Sequence, residues 1–281
     1  MKFLRVFSVA SLVAGIGVGG AAQADEHGHA LVLGDSVAFA YIAAAGHEYI
    51  NPGNFLGFAD DLEQMLKVEA VDPACPGEAT GSFLSATAPD NGCRAYRANF
   101  PLHVAYGSTQ LAFATNYLHR HHDVRLITIT LGANDGFLLE ASCATQHDPT
   151  ACLEAGIPTL LATVAGNMQT ILADLRATGY GGAIVVTNYY SLDYSDAAAT
   201  GLTALLNSAI VAPAQAYGAV VADLFTAFKA VAGNPAFGGK TCNAGVLNAS
   251  VQDQLLCDVH PSQSGHQIIA EAIAGAYRST R

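Results

Sequence analysis

A parallel α/β sheet covered by helices on both faces is the fold class this sequence predicts, and three observations predict it. Short segments, clearest at Ala30 to Gly34 and Ala183 to Thr187, read as apolar runs, the pattern of strands buried on both sides. They alternate with longer segments of helical periodicity. No repeat, low-complexity linker or composition break interrupts this alternation in the 281 residues, so a single domain is expected over residues 25–281.

The elements follow in order. Ala30 to Gly34 (Ala-Leu-Val-Leu-Gly) is the first buried strand. Asn51-Pro52-Gly53-Asn54 is a turn signal, after which Phe55, Phe58, Leu62, Met65 and Leu66 recur at helical spacing. A weaker strand falls at Glu69 to Asp72, and Ser108 to His121 reads as helix. Arg125 to Leu131 (Arg-Leu-Ile-Thr-Ile-Thr-Leu) is the clearest strand. Pro158 to Thr178 is a long helix ending at Gly179, Ala183 to Thr187 a strand, Ala197 to Tyr217 largely helix and Ala219 to Ala222 a short strand. Ile269, Ile273, Ala276 and Tyr277 mark a closing helix. Two stretches, about Gly136 to Ile157 and about Val231 to Asp258, exceed a normal connection and are expected to wall a substrate site.

Composition excludes some functions. With 51% hydrophobic and only 12% charged residues the chain is not disordered. Its 12 Lys and Arg against 23 Asp and Glu give −11, so no nucleic-acid partner is expected, nor attraction to an anionic membrane. Met1 to Ala24 opens with Lys2 and Arg5, continues as the apolar run Val6 to Val18 and ends Ala22-Gln23-Ala24. That is the pattern of a secretory signal cleaved after Ala24. The other reading is a membrane anchor, for which the glycine-interrupted run is short. No later segment reads as a transmembrane run, and no stable anchor is expected. Removing the signal takes away Lys2 and Arg5, leaving 257 residues with 10 basic and 23 acidic side chains, a charge of −13. A secreted or periplasmic location follows, and a monomer is expected.

Export changes how the six cysteines read. An even number in an oxidising compartment argues for disulfides. Proximity in sequence suggests Cys75–Cys93, Cys143–Cys152 and Cys242–Cys257, each closing a loop without crossing a predicted strand. None has the C-x-x-C spacing of a redox or zinc site.

Four segments carry chemistry. Gly34-Asp35-Ser36 ends the first strand, Gly77 follows the second, Gly132-Ala133-Asn134-Asp135 follows the third, and His260 lies just before the last helix. In an open α/β sheet the ligand crevice lies beyond the carboxyl ends of the strands, so all four are predicted at one edge. A serine hydroxyl needs a nearby imidazole to take its proton, and a tetrahedral oxyanion needs preorganised donors. The Ser36 N–H, the Gly77 N–H and the Asn134 amide could form that donor set.

These residues resemble the four blocks of the SGNH (GDSL) hydrolases, over about Leu31 to Ala274. The resemblance implies a three-layer α/β/α sandwich with a flavodoxin-like, mostly parallel five-stranded sheet, and ester cleavage without metal or cofactor. By position it implies Ser36 as nucleophile, Gly77 and Asn134 as oxyanion donors and His260 as base. The G-x-S-x-G elbow of ordinary α/β-hydrolases is absent. One departure stands out: the family places its acid three residues before the histidine, where this chain has Cys257, while Asp258 is only two before His260. Asp258 is thus open to three roles: through its carboxylate, through its main-chain carbonyl, or as a structural neighbour.

Other polar residues read differently. Asp35 is expected to brace the turn around Ser36. His119-Arg120-His121-His122-Asp123 partly matches a metal-binding pattern, but it precedes its strand and belongs at the edge away from the crevice, so no catalytic metal is expected. His27, His29 and His47 read as surface residues, and His266 as part of the last helix. The function expected is a secreted serine hydrolase of lipase or carboxylesterase type, acting on a small-molecule or lipid ester. A carbohydrate O-deacetylase is the alternative, and a non-catalytic binding module on the same fold a further one. Phe137, Leu138, Leu139, Phe237, Val246 and Leu247 in the long stretches lean toward an apolar acyl group.

Overall fold

The structure, a computed structural model, describes residues 28–251 and 256–281. The expectations for Met1 to Ala24, for His27 and for the side chain of His47 lie outside the described residues. The chain runs β1 (His29–Gly34), α1 (Phe58–Leu66), β2 (Glu69–Val71), α2 (Thr80–Leu84), α3 (Cys93–Asn99), α4 (Gln110–Arg120), β3 (Val124–Thr130) and α5 (Ala133–Cys143). It continues through α6 (Pro149–Ala177), β4 (Ala183–Thr187), α7 (Ala197–Ala216), β5 (Val220–Ala222), α8 (Leu224–Ala232), β6 (Leu247–Ala249), β7 (Cys257–Pro261) and α9 (Gln263–Arg278).

The first five strands form one parallel sheet in the order β2-β1-β3-β4-β5, the flavodoxin-like order expected. Helices α1, α8 and α9 pack together on one side, and α2, α4, α5, α6 and α7 on the other, giving three layers. The central strands are apolar on both faces because both are covered: Leu31, Val32, Leu33, Ile127 and Ile129 are fully buried. The strand order reverses between β1 and β3, so the crevice opens beyond their carboxyl ends. Gly34 and Gly132 stand there.

The structure links Cys75 to Cys93, Cys143 to Cys152 and Cys242 to Cys257. It also corrects four expectations. The stretch from Gly136 to Ile157 is mostly helical: α5 absorbs its start, and α6 begins at Pro149 rather than Pro158. The side chain of Asp148 caps the Ala151 N–H and Pro149 occupies the first turn, where its missing N–H costs nothing. Pro158 instead lies inside the helix on an exposed face, where water can solvate the carbonyl it leaves unpaired. The stretch from Val231 to Asp258 ends in a two-stranded antiparallel sheet, β6 with β7. Its Val246 and Leu247 are core residues, not walls of the crevice.

The third correction concerns α7, which is long and apolar enough to cross a membrane by length and composition. It serves here as the crossover between β4 and β5, with Asn207 on its inner side bonded to both the N–H and the carbonyl of Tyr189. Finally, His29 is not a simple surface residue. Its ring is half-buried at the start of β1, with Nδ1 2.9 Å from the Tyr117 hydroxyl.

Candidate active site

The turn after β1 is shaped by its neighbours. Gly34 has φ 153°, and a Cβ there would lie 2.5 Å from the Thr130 carbonyl oxygen. Buried Gln110 clamps it from both sides: Oε1 accepts the Gly34 N–H at 2.6 Å and Nε2 donates to its carbonyl at 3.0 Å. Asp35 is buried, and its carboxylate accepts the Val37 N–H at 2.9 Å and the Tyr189 hydroxyl at 2.5 Å. Burial raises its pKa to about 6, against the pull of the Tyr189 and Val37 hydrogen bonds and of the His260 charge. Asp35 thus ties the turn that presents Ser36 to the segment after β4.

His260 reaches Ser36 from the far end of the sequence. The Ser36 Oγ lies 2.9 Å from His260 Nε2, and His260 Nδ1 lies 2.7 Å from Asp258 Oδ2. The two-residue spacing has a structural reason. Asp258 and His260 sit on strand β7, and in a strand residues i and i+2 project to the same side. The residue between them is pinned by its carbonyl, which accepts the Tyr190 hydroxyl at 2.6 Å. The ring of Tyr41 stands edge-on to the imidazole, with centroids 5.0 Å apart. Burial pushes the Asp258 carboxyl up, but its hydrogen bond with His260, the His260 charge and the Val259 and Ala43 N–H groups outweigh that and hold its pKa below the usual carboxylate range. An ionised Asp258 keeps the proton on Nδ1 and turns the Nε2 lone pair toward Ser36.

Gly77 and Asn134 come to the same place by a shared partner. Gly77 has φ 86°, and a Cβ there would meet the Asn91 carbonyl oxygen at 2.3 Å. The Asn91 N–H donates to the Gly77 carbonyl at 2.8 Å, and its side-chain amide donates to Asn134 Oδ1 at 2.8 Å. Asn134 Nδ2 donates to the Glu78 carbonyl at 3.0 Å and lies 3.4 Å from Asp35 Oδ2. The longer contact identifies the amide hydrogen that is least committed. Among the described residues no acceptor takes up the N–H of Ser36 or of Gly77. Asp135 is drawn back instead: its carboxylate accepts the N–H and hydroxyl of Thr80, at 2.9 and 2.6 Å.

Ser36, Gly77, Asn134 and His260 all line one cleft of about 800 Å³. Its floor is polar and its walls are leucine-rich: Leu139 from α5, Leu153, Leu160 and Leu161 from α6, and Leu202, Leu205 and Leu206 from α7. Of the apolar residues singled out in the sequence, Phe137 and Leu139 line this cleft, whereas Leu138, Phe237, Val246 and Leu247 do not. Residues missed in the sequence are Asn91, Tyr189, Tyr190 and the leucines of α7. Asn91 had a signal, because the Cys75–Cys93 disulfide closes its segment onto Gly77.

The histidine cluster lies at the other end of β1 from Ser36. Ligand atoms of His29, His121 and Asp123 come within 4.8 Å of one another there. His29 Nδ1 is 3.5 Å from Asp123, and the His121 ring stacks on Tyr117 at 3.9 Å. His266 lies on α9, buried, with Nδ1 accepting the Phe58 N–H at 3.3 Å, and burial lowers its pKa to about 3.

Comparison with solved structures agrees with this architecture. An extracellular lipase from Streptomyces rimosus superposes with a TM-score of 0.56 at 17% identity, covering 89% of this chain and 99% of the other. A phospholipase A1 from Streptomyces albidoflavus NA297 gives 0.55 at 19% identity, covering 87% and 98%. An acetylxylan esterase from Geobacillus stearothermophilus gives 0.54 at 12% identity, covering 89% and 94%. At such identities the likeness establishes the fold. Among curated proteins no relative matches the chain. The model of the GDSL-like lipase/acylhydrolase family matches residues 32–268, and the chain belongs to that family.

Proposed function

We propose that this protein is a serine hydrolase of carboxylic esters with apolar acyl chains, exported to an oxidising compartment. The observation that carries the reading is the Ser36–His260–Asp258 line opening directly onto a leucine-walled cleft. A volume of about 800 Å³ is ample for a small-molecule ligand. The three disulfides support export.

In this mechanism the Nε2 of His260 takes the Ser36 proton as Oγ bonds to the ester carbonyl carbon. The carbonyl electron pair moves onto oxygen, where the Ser36 N–H, the Gly77 N–H and the Asn134 amide receive it. Collapse expels the alkoxide, which leaves as the alcohol with the proton from the imidazolium. Water then loses a proton to His260 and adds to the acyl-enzyme. The second collapse releases the acid and returns the proton to Ser36.

Hydrolysis of a p-nitrophenyl series from acetate to palmitate tests the reading, with Ser36→Ala as control. Each added methylene buried in the cleft is worth up to ~0.8 kcal/mol, about fourfold in kcat/KM, until the walls are used up. A rise from acetate to a medium or long chain is the expected result. A maximum at acetate would turn the reading to an O-deacetylase, and no serine-dependent hydrolysis of any ester would turn it to a binding module.

Asn91 supplies a second prediction. Its side chain orients Asn134 and its backbone holds Gly77, so it positions both proposed donors. Asn91→Ala frees the Asn134 amide to rotate while leaving the backbone bond in place. Steady-state kinetics on p-nitrophenyl butyrate should show kcat lowered by ~10-fold or more with KM within about twofold, the signature of an interaction used in the transition state. Equal kcat in the variant would remove Asn91 from the mechanism.

A further inference from the structure

The rim of the cleft, resting on the acyl-ester reading above, has a property of its own. Eight large apolar side chains are exposed among the described residues, and four of them, Phe137, Leu192, Leu202 and Leu205, line this one cleft. Leu202 and Leu205 are each 50% exposed and Leu192 46%. Behind them α7 carries no charged residue from Ala197 to Ala216, and α6, packed against it, carries none from Ala155 to Ala173. A solvated helix face ordinarily alternates charges, all the more in a chain whose net charge is −11.

We propose that this α6–α7 rim docks on an electrically neutral lipid surface, so that an acyl chain passes from the surface straight into the cleft. Position selects this occupant. A protein partner or a second copy seated on the rim would close the mouth above Ser36, whereas a lipid layer supplies the substrate through it. Charge selects the headgroup. The acidic chain is repelled by an anionic surface, and exposed Glu140 on the α5 wall of the cleft adds to that repulsion, whereas the uncharged stretches of α6 and α7 lose no ion hydration against a neutral surface.

The test uses residues of the same α7 stripe that do not line the cleft. Ala198 lies four residues before Leu202, Ser208 lies three after Leu205, and both are exposed. Ala198→Glu with Ser208→Glu places two charges on the rim while favouring the helix, by an acid in its first turn and a better helix former in its interior. Wild type is expected to partition onto phosphatidylcholine vesicles in a flotation assay, and less so when phosphatidylserine is added. The double variant should bind at least ~10-fold more weakly, since burying two charges outweighs the apolar gain. Both proteins should hydrolyse p-nitrophenyl butyrate equally. Wild type that hydrolyses the soluble ester but stays off the vesicles, or a variant that binds like wild type, overturns the proposal. A wild-type dimer that the substitutions dissociate also overturns it, because a second copy would then cover the face. Failure of the enzymatic reading is seen separately, as absence of Ser36-dependent hydrolysis of the soluble ester.

Discussion

Ser36→Ala and His260→Ala should each lower kcat on a p-nitrophenyl ester by ~10⁴-fold or more, and the double variant should be no worse than the poorer single one. The reason is the geometry of one shared proton. Ser36 Oγ and His260 Nε2 are 2.9 Å apart, so the hydroxyl becomes a nucleophile only as the imidazole takes its proton. Removing either partner ends the same event, and removing both ends nothing more. What remains over the uncatalysed rate would come from substrate held in the cleft beside the proposed donors Gly77 and Asn134. Single-turnover measurements on the three variants check this. Losses that multiply in the double variant would mean that Ser36 and His260 act in separate steps. Full activity in Ser36→Ala would place the nucleophile elsewhere.

The sheet was legible because its central strands are buried on both faces and therefore spell continuous apolar runs, as Leu31 to Leu33 and Ile184 to Val186 do. The crevice was legible for a related reason: a parallel sheet sends every strand's carboxyl end to one edge, and Ser36, Gly77 and Asn134 each follow a strand. What stayed hidden depends on contacts between distant segments. Asn134-Asp135-Gly136 has the residues of a common turn, yet it lies in the first turn of helix α5, where the Asp135 side chain is taken up by Thr80 and Asn134 is held by Asn91. Pro158 reads as a helix start because nothing local shows that Asp148 has already capped the helix ten residues earlier. The leucines of α7 resemble core residues in sequence, and only the packing of α7 on α6 turns Leu202 and Leu205 toward the cleft. Asp258 was ambiguous for the same kind of reason. Two-residue spacing brings side chains together on a strand and apart on a helix or loop, and β7 becomes a strand only by pairing with β6.

That pairing makes Asp258→Asn the most informative single substitution. If the carboxylate orients His260, an amide of the same shape removes the charge and offers an N–H where Nδ1–H should donate. The imidazole then favours the tautomer with its proton on Nε2, pointing at Ser36 and unable to accept. A fall in kcat of ~10³–10⁴-fold with KM little changed is expected. A loss of only a few-fold would mean that a main-chain carbonyl orients the ring. A second readout separates this from a folding defect. The pKa of Asp258 is held below its ordinary 3.8 in the folded protein, so its ionised form contributes stability above that pH, lost as pH falls through the folded value. Wild type should therefore melt above Asp258→Asn at pH 7, and the gap should close as the pH drops below about 4. A gap that stays constant with pH would show that the substitution disturbs packing rather than a charge. Loss of turnover together with a pH-dependent gap would assign the carboxylate both its electrostatic partner and its catalytic task.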